Sequence, residues 1–452
     1  MNDVSQIAKT LDLEKRVPRY TSYPPANHFN GSVTGESFSN WIAAIPKASR
    51  ISLYLHIPFC RNLCWFCACR TQGIKRRFDA LYHYIDGLKI ELDHLAAQLD
   101  PSVIIKTIHL GGGTPTLLPP PLITDLMQYV KDRFTLDEDY GLSVEIDPTE
   151  IDQERIDALV KSGLSRASVG VQDFKEEIQQ AIGRPQSYEQ TQQCFDHLRA
   201  AKINSINIDL LYGLPHQTLT GFSETIDRVL SLSPDRVAMF GYAHVPWMAK
   251  RQQLIDPATL PDSALRLALL EKGRQRFMDN GYLPIGIDHF AKPDDSLARA
   301  AENGQLHRNF QGYTDDASRI LIGLGASAIS IFPQGYAQNA SGTQAYLEHI
   351  QHGKFATSRG HVFSDDDHLR RYIIDQLMCS FELSLTEMRA RFGDQAAALC
   401  QSIEQNADKM GLTRHGSEAV YRIAEPAHLT ARMVAQQFDQ YQAPEKSHSL
   451  AV

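Results

Sequence analysis

Four cysteines fall within residues 60–69 of this chain: Cys60, Cys64, Cys67 and Cys69. The local sequence is Tyr54-Leu-His-Ile-Pro-Phe-Cys60-Arg-Asn-Leu-Cys64-Trp-Phe-Cys67-Ala-Cys69, a Cys-x3-Cys-x2-Cys-x-Cys spacing. Thiolates this close in one loop can wrap a soft metal centre, and iron–sulfur clusters are built on such runs. If three of the thiolates each hold one iron of a [4Fe–4S] cube, the fourth iron has no protein ligand. A chelating substrate can bind at that vacancy and accept an electron.

Simpler uses of the cysteines fit less well. Structural zinc usually takes two Cys pairs, or a Cys and a His pair, across a longer spacer, and no second cluster follows here. Cys67 and Cys69 are too close to form an unstrained disulfide with each other. The isolated Cys194, Cys379 and Cys400 read as small buried hydrophobes.

Composition narrows the setting. At 452 residues the chain exceeds one small core and suggests two or three units. Its hydrophobic share of 43% and charged share of 22% are those of a globular protein. Met1–Arg19 is polar and mixed in charge, without the apolar core of a signal peptide. No apolar run is long enough for a membrane span. Free thiols suit a reducing compartment, so a cytoplasmic location is expected. A net charge of −8 argues against nucleic acid as a partner. The densest basic run, Lys75-Arg76-Arg77, reads as a solvated helix start.

The elements that must position the cysteines begin near Ile51. Strands are predicted at Ser52–His56, Thr107–Leu110, Leu142–Ile146, Arg166–Val171, Ile206–Tyr212 and Arg236–Tyr242, short and apolar like strands buried on both faces. Helix-like segments separate them: Asp79–Leu99, Pro121–Asp132, Asp152–Ser162, Ser187–Ala201 and Thr218–Ser231. This alternation means right-handed βαβ units and a parallel sheet. Each strand ends in polar or Gly-rich residues: the Cys loop, Gly111-Gly112-Gly113-Thr114, Glu145-Ile-Asp147-Pro148, Gln172-Asp173, Asp209 and Ala243-His244. In a barrel these share one chemically active rim, whereas a doubly wound sheet gathers only those near its switch point. The expectation is therefore an α/β fold, a partial (β/α)6 TIM-like barrel.

Further along, Asp262–Asn280 reads as an amphipathic helix, Tyr282–Phe290 as one more strand, and His307–Thr314 as a polar loop. From about Asp366 helical periodicity dominates to near Gln442, with mixed charge that argues against DNA binding. Three regions are expected: an N-terminal extension over 1–47 closing on the site, the barrel with its substrate loop over 48–335, and a mainly helical unit over 336–452.

The Cys-x3-Cys-x2-Cys run is the cluster signature of radical S-adenosylmethionine (SAM) enzymes. The wider string, from Tyr54 to Cys69, resembles oxygen-independent coproporphyrinogen III dehydrogenases. Four other segments are similar to that family: Pro18-Arg-Tyr-Thr-Ser-Tyr-Pro24, Gly111-Gly-Gly-Thr-Pro-Thr116, Gly170-Val-Gln-Asp-Phe174 and Arg308-Asn-Phe-Gln-Gly-Tyr-Thr314. The likeness covers residues 15 to about 335 and weakens in the helical C-terminal part. Two segments depart from the family pattern: Arg319-Ile320, and Arg422-Ile-Ala-Glu-Pro-Ala-His-Leu-Thr430, the latter expected not to bear on chemistry.

The resemblance implies that Cys60, Cys64 and Cys67 hold a [4Fe–4S] cluster. Cys69 is no ligand, yet separates the dehydrogenases from related haem chaperones. Tyr54, Gly112, Glu145 and Ile329 are implied to contact the SAM that binds iron. A second SAM would meet Phe66, Gly113, Thr114, Gln172, Arg184, Asp209 and Ala243. The Gly-rich loop lacks phosphate-loop spacing and reads as a close backbone approach to SAM. The implied reaction converts two propionates of coproporphyrinogen III to vinyl groups, giving protoporphyrinogen IX, through a 5′-deoxyadenosyl radical. Arg19, Arg308 and Gln311 are candidates to meet the substrate, since four carboxylates around an apolar macrocycle call for Arg or Lys and an aromatic floor. A flavodoxin- or ferredoxin-like one-electron donor and a monomeric state are expected. The alternatives on the same scaffold are a haem-binding chaperone and a radical SAM haem-ring methylase.

Overall fold

The computed structural model of the chain describes residues 15–74, 78–416 and 419–441. The basic run Lys75–Arg77, the first fourteen residues and the tail beyond Tyr441 lie outside them. Six strands, β1 Arg50–Ile57, β2 Ile104–Gly112, β3 Thr135–Ile146, β4 Leu164–Gln172, β5 Ile206–Tyr212 and β6 Arg236–Gly241, run parallel and neighbour one another in chain order. A doubly wound sheet reverses its order at a switch point. This one does not, and its rim gathers the C-terminal ends of all six strands, as the barrel expectation requires.

The sheet stays open. Beyond β1 lies the parallel strand Leu321–Leu324, extended by the antiparallel Ile329–Phe332, Gly335–Asn339 and Thr357–Val362. Beyond β6 lie His289–Ala291 and Leu283–Ile285.

Helices α1 Asp79–Ala96, α2 Pro120–Lys131, α3 Gln153–Lys161, α4 Tyr188–Ala200, α5 Leu219–Leu232 and α6 Ser263–Asp279 alternate with the strands. Their starts are written into the sequence. Asp152, Ser187, Thr218 and Asp262 each accept a backbone N–H three residues on, satisfying a donor the first turn would otherwise strand. Leu81, Ile85, Leu88, Leu92 and Leu95 of α1 keep helical spacing and are buried against the sheet.

Two segments differ from the sequence reading. Tyr282–Phe290 is a hairpin rather than a strand, because Gly286 (φ 57°) reverses the chain between Leu283–Ile285 and His289–Ala291. His307–Thr314 is also paired, as His307–Asn309 against Gly312–Thr314 around a Phe310–Gln311 turn. Its polar composition hid the strands, since a two-stranded ribbon has little apolar face to reveal.

Residues past 335 continue the barrel. Tyr346, Ile350 and Phe355 belong to the main core, so the C-terminal unit is best begun at the helix Asp365–Cys379 rather than at 336. That unit has its own core around Ile373, Leu377, Leu385 and Ile403, with a small antiparallel sheet among its helices. Tyr20 and Tyr23 from the N-terminal extension are buried in the same core. The Tyr20 hydroxyl donates to Asp439 at 3.0 Å, and the Gln440 N–H donates to the Tyr23 hydroxyl at 3.1 Å.

One buried carboxyl joins α1 to the strands beside β1. Glu91 is fully buried and accepts from the Gly325 N–H and the Tyr346 hydroxyl, both at 2.7 Å, and from Asn339 Nδ2 at 2.8 Å. Burial pushes its pKa up to about 7, against these three donors. The folded value exceeds the ordinary 4.5, so the site's stabilisation is full below that pH and declines as pH rises through about 7. Replacing Glu91 with Leu strands three buried donors. We expect a loss of roughly 3 kcal/mol or more in urea unfolding, together with a flatter stability profile between pH 4.5 and 7.

Candidate active site

The Cys loop leaves β1 at Pro58 and is closed on itself by Phe59–Cys60 pairing with Gln72–Gly73. Between these ends it has little secondary structure, so its backbone groups need partners from elsewhere. The Trp65 N–H donates to the Ile182 carbonyl at 2.8 Å, and the indole covers Gly183. A Cβ on Gly183 would stand 2.7 Å from Trp65 Nε1. Gln252, from the turn Lys250–Leu254 after β6, donates to the carbonyls of Phe66 at 2.7 Å and Ala243 at 3.1 Å. Its Oε1 accepts from the Val245 N–H at 2.6 Å. Arg251 Nη2 donates to the Cys69 carbonyl at 3.0 Å and to Thr71 Oγ1 at 2.9 Å. Sequence reasoning passed over Arg251 and Gln252, which belong to no motif.

All four thiols are free: Cys64 is buried, Cys60 and Cys67 are half-buried, and Cys69 is exposed. Burial pushes the Cys60 thiol up to about 11, whereas a hydrogen bond from Cys69, opposed by burial, pulls Cys67 down. Arg184 Nη1 lies 3.4 Å from Cys64 Sγ and 3.2 Å from Asp147, and Nη2 donates to the Gly170 carbonyl at 3.0 Å. Among the described residues no three Cys, His, Asp or Glu side chains converge on a single ion. A cube asks for something else, one thiolate on each of three irons. Three free thiols on one clamped loop fit that requirement.

Next to the loop, β1, β2 and β3 bring Tyr54, Gly112 and Glu145 together. The Gly112 N–H donates to Glu145 Oε2 at 2.9 Å, and His109 Nε2 lies 3.3 Å from Oε1. Burial would raise the Glu145 pKa, but His109, the Gly112 N–H and His56 outweigh it and hold the carboxyl below its ordinary range. Tyr54 stacks on His109, and its hydroxyl lies 2.9 Å from His56 Nδ1. Ile329 stands beside Gly323, the register partner of Tyr54.

The glycine run also has a reason within the protein's own packing. A Cβ on Gly113 would come within 2.6 Å of the Phe59 carbonyl oxygen, and one on Gly112 (φ 111°) would collide with the His56 ring. The space these glycines vacate is filled by the protein's own atoms. The run therefore lets the second strand press against the start of the Cys loop. Thr114 completes that contact, its N–H donating to the Phe59 carbonyl at 2.8 Å.

On β4 and β5, Gln172 is buried with φ 69°, a strained backbone for a non-glycine residue. Asp209 lies within β5, not at its end as expected. It accepts from Asn207 at 2.7 Å and Ser168 at 3.2 Å, and burial pushes its pKa up to about 6.

A cavity of about 430 Å³ opens in front of this rim. Cys67, Cys69, Phe66 and Ala243 line it, and so do Arg19 and Gln311, so residues from distant parts of the sequence share one chamber. Phe240, Phe310, Leu211, Tyr212 and Tyr242 add apolar wall. His428 and Arg432 also line it, so the tail segment departing from the family pattern does reach the cavity, contrary to the sequence expectation. Its helix, Ala427–Gln436, is held there because Arg432 Nε donates to the Pro18 carbonyl at 3.1 Å.

Residues 54–229 match the Radical SAM superfamily. An oxygen-independent coproporphyrinogen III oxidase of Paracoccus denitrificans is 49% identical, with 100% of both chains covered. One of Pseudomonas aeruginosa is 38% identical over 94% of this chain and 93% of its own. The solved structure of coproporphyrinogen III oxidase from Escherichia coli, described as a radical SAM enzyme, superposes with a TM-score of 0.88 at 36% identity, covering 94% of this chain and 98% of that one.

Gln252 offers a test of how the loop is held. Gln252→Leu leaves the Phe66 and Ala243 carbonyls and the Val245 N–H without partners. We expect the brown chromophore of anaerobically reconstituted protein to bleach roughly tenfold faster under chelator than in the parent, given a cost of about 1–3 kcal/mol per stranded group.

Proposed function

This chain belongs to the oxygen-independent coproporphyrinogen III oxidases of the radical SAM superfamily, and from that premise we propose how its residues divide the work. The reaction is the anaerobic oxidative decarboxylation of two propionate side chains of coproporphyrinogen III, giving protoporphyrinogen IX. The observation that carries the reading is one chamber lined by Cys67 and Cys69 and also by Arg19, Arg308 and Gln311. Thiolates and carboxylate-binding groups would thus face the same small volume.

Cys60, Cys64 and Cys67 are the iron ligands of this reading. When bound and reduced, the cluster with SAM supplies a 5′-deoxyadenosyl radical that removes one hydrogen atom from the substrate. On the substrate, loss of that hydrogen from the propionate β-carbon, then of CO2 and one electron, leaves the vinyl group. The protein's share is to orient and to exclude water. Glu145, kept ionised and aimed by His109 and Gly112, suits an ammonium group, and Tyr54 and Ile329 flank it. Phe66, Gly113, Thr114, Gln172, Arg184, Asp209 and Ala243 are assigned to a second SAM. Arg19 and Arg308 take carboxylates, with Gln311 beside them. A flavodoxin- or ferredoxin-like donor, a cytoplasmic setting and a monomer complete the proposal. No helix among the described residues is long and apolar enough to cross a membrane.

The test is an anaerobic assay with reduced protein, SAM and coproporphyrinogen III. We expect two CO2 released for each divinyl product; stable haem binding without vinyl product would place the chain with the chaperones instead. Cys60→Ala should abolish the brown absorbance, while Cys69→Ala should keep it and lose turnover.

A further inference from the structure

We propose that the face carrying Arg70, Met248 and Lys250 is where an acidic one-electron carrier protein docks to reduce the cluster. The inference rests on the cluster and SAM chemistry proposed above. It gives the electron an entry separate from the chamber assigned to the substrate.

A second opening, a cleft of about 410 Å³, lies against the Cys loop. Cys67, Ala68 and Cys69 line this cleft and also the chamber, so the loop is the wall between the two. With substrate in the chamber, the cleft remains as the approach to the same thiols. Arg70, Lys250 and Arg251 line it, and its described lining includes no Asp or Glu. Among the described residues none of these three side chains forms an ion pair with a carboxylate. Arg70 and Lys250 are exposed. Arg359 extends the basic patch: it donates to Gln338 Oε1 at 2.7 Å, and burial and then the charge of Arg70 pull its pKa down. Met248, 58% exposed, lies in the same cleft beside Lys250. Trp247, next to it in the chain, is also exposed, with the Arg16 guanidinium over its ring at 5.3 Å.

An exposed Trp and Met among unpaired cations make a face suited to transient docking. The whole chain carries a net charge of −8, so most of its surface repels an acidic protein. Attraction is confined to the places where basic residues gather, and this one adjoins the cluster ligands. Long-range charge would steer the carrier to it, while the apolar pair supplies the short-range contact. In the step itself one electron passes to the cluster. The carrier is oxidised by one electron, the cluster is reduced by one, and no atom is transferred. The turn Lys250–Leu254 joins the docking face to the redox centre. Lys250 faces the carrier, while Arg251 and Gln252 hold the Cys69 and Phe66 carbonyls.

The test follows reduction of the anaerobic holoenzyme by stopped-flow absorbance, with flavodoxin hydroquinone as the acidic probe and dithionite as the carrier-free control. In the double variant Arg70→Glu, Lys250→Glu we expect the second-order rate with flavodoxin to fall roughly tenfold or more at low ionic strength, and its dependence on salt to flatten. SAM cleavage by dithionite-reduced enzyme should stay at the parent level. Lys161→Glu, at the end of α3 on the opposite rim, should leave both rates unchanged. An undiminished flavodoxin rate in the double variant, or an equal fall in Lys161→Glu, would overturn the inference. So would a parent enzyme that dithionite reduces and flavodoxin does not. Should the double variant lose its cluster, Lys250→Ala reads the same rates with the same outcomes. Dithionite-reduced parent that neither cleaves SAM nor yields vinyl product would instead overturn the activity proposed above, so the two failures are told apart.

Discussion

A loop that carries a redox centre must be rigid without being regular, and this constraint organises the whole rim. The Cys loop has few hydrogen bonds of its own, so its carbonyls are satisfied by Gln252 and Arg251 and its Trp65 N–H by Ile182. These clamps come from the two ends of the parallel sheet's far half. Gly113 serves the same end from the other side by letting the end of the second strand touch Phe59, while Gly112 makes room for the His56 ring of the first strand. Position is thereby imposed by groups remote in sequence, while the loop keeps its thiols for metal.

Charge is distributed over the cavity in a complementary way. Carboxylates sit on the strands behind it, with Glu145 and Asp209 half-buried and each accepting from neighbouring donors. Guanidinium groups cluster on the elements that cover those strands. Arg184 is the exception, lying among the strand ends beside Cys64. A cationic sulfonium cofactor and a polyanionic macrocycle would each find its opposite sign, and neither arrangement could be swapped without burying like charges together.

The sequence carried the parts of this design that are local. The Cys spacing, the apolar strands and the helix caps at Asp152, Ser187, Thr218 and Asp262 are short-range patterns, and their elements lie where the patterns put them. Asp209 was misplaced at a strand end because a carboxylate inside an apolar strand is indistinguishable from one that terminates it. The hairpin around Gly286 reads as one strand because a single glycine is a weak signal beside Tyr282, Leu283, Ile285, Ile287 and Phe290. What had no signature was convergence. Arg19, Arg266, Arg308 and Arg432 are spread across the chain, and only the fold gathers them. Gln252 gave no hint for the same reason, being one glutamine among many until its three partners were seen.

Tyr20 and Tyr23 are seated in a core made almost wholly of residues beyond 368. The first described segment of the chain therefore docks on the last. During synthesis the barrel strands leave the ribosome long before Phe438 does, so the chamber must spend that interval unroofed. A chamber lined by both Arg19 and Arg432 is therefore whole only once the two ends of the described chain have met.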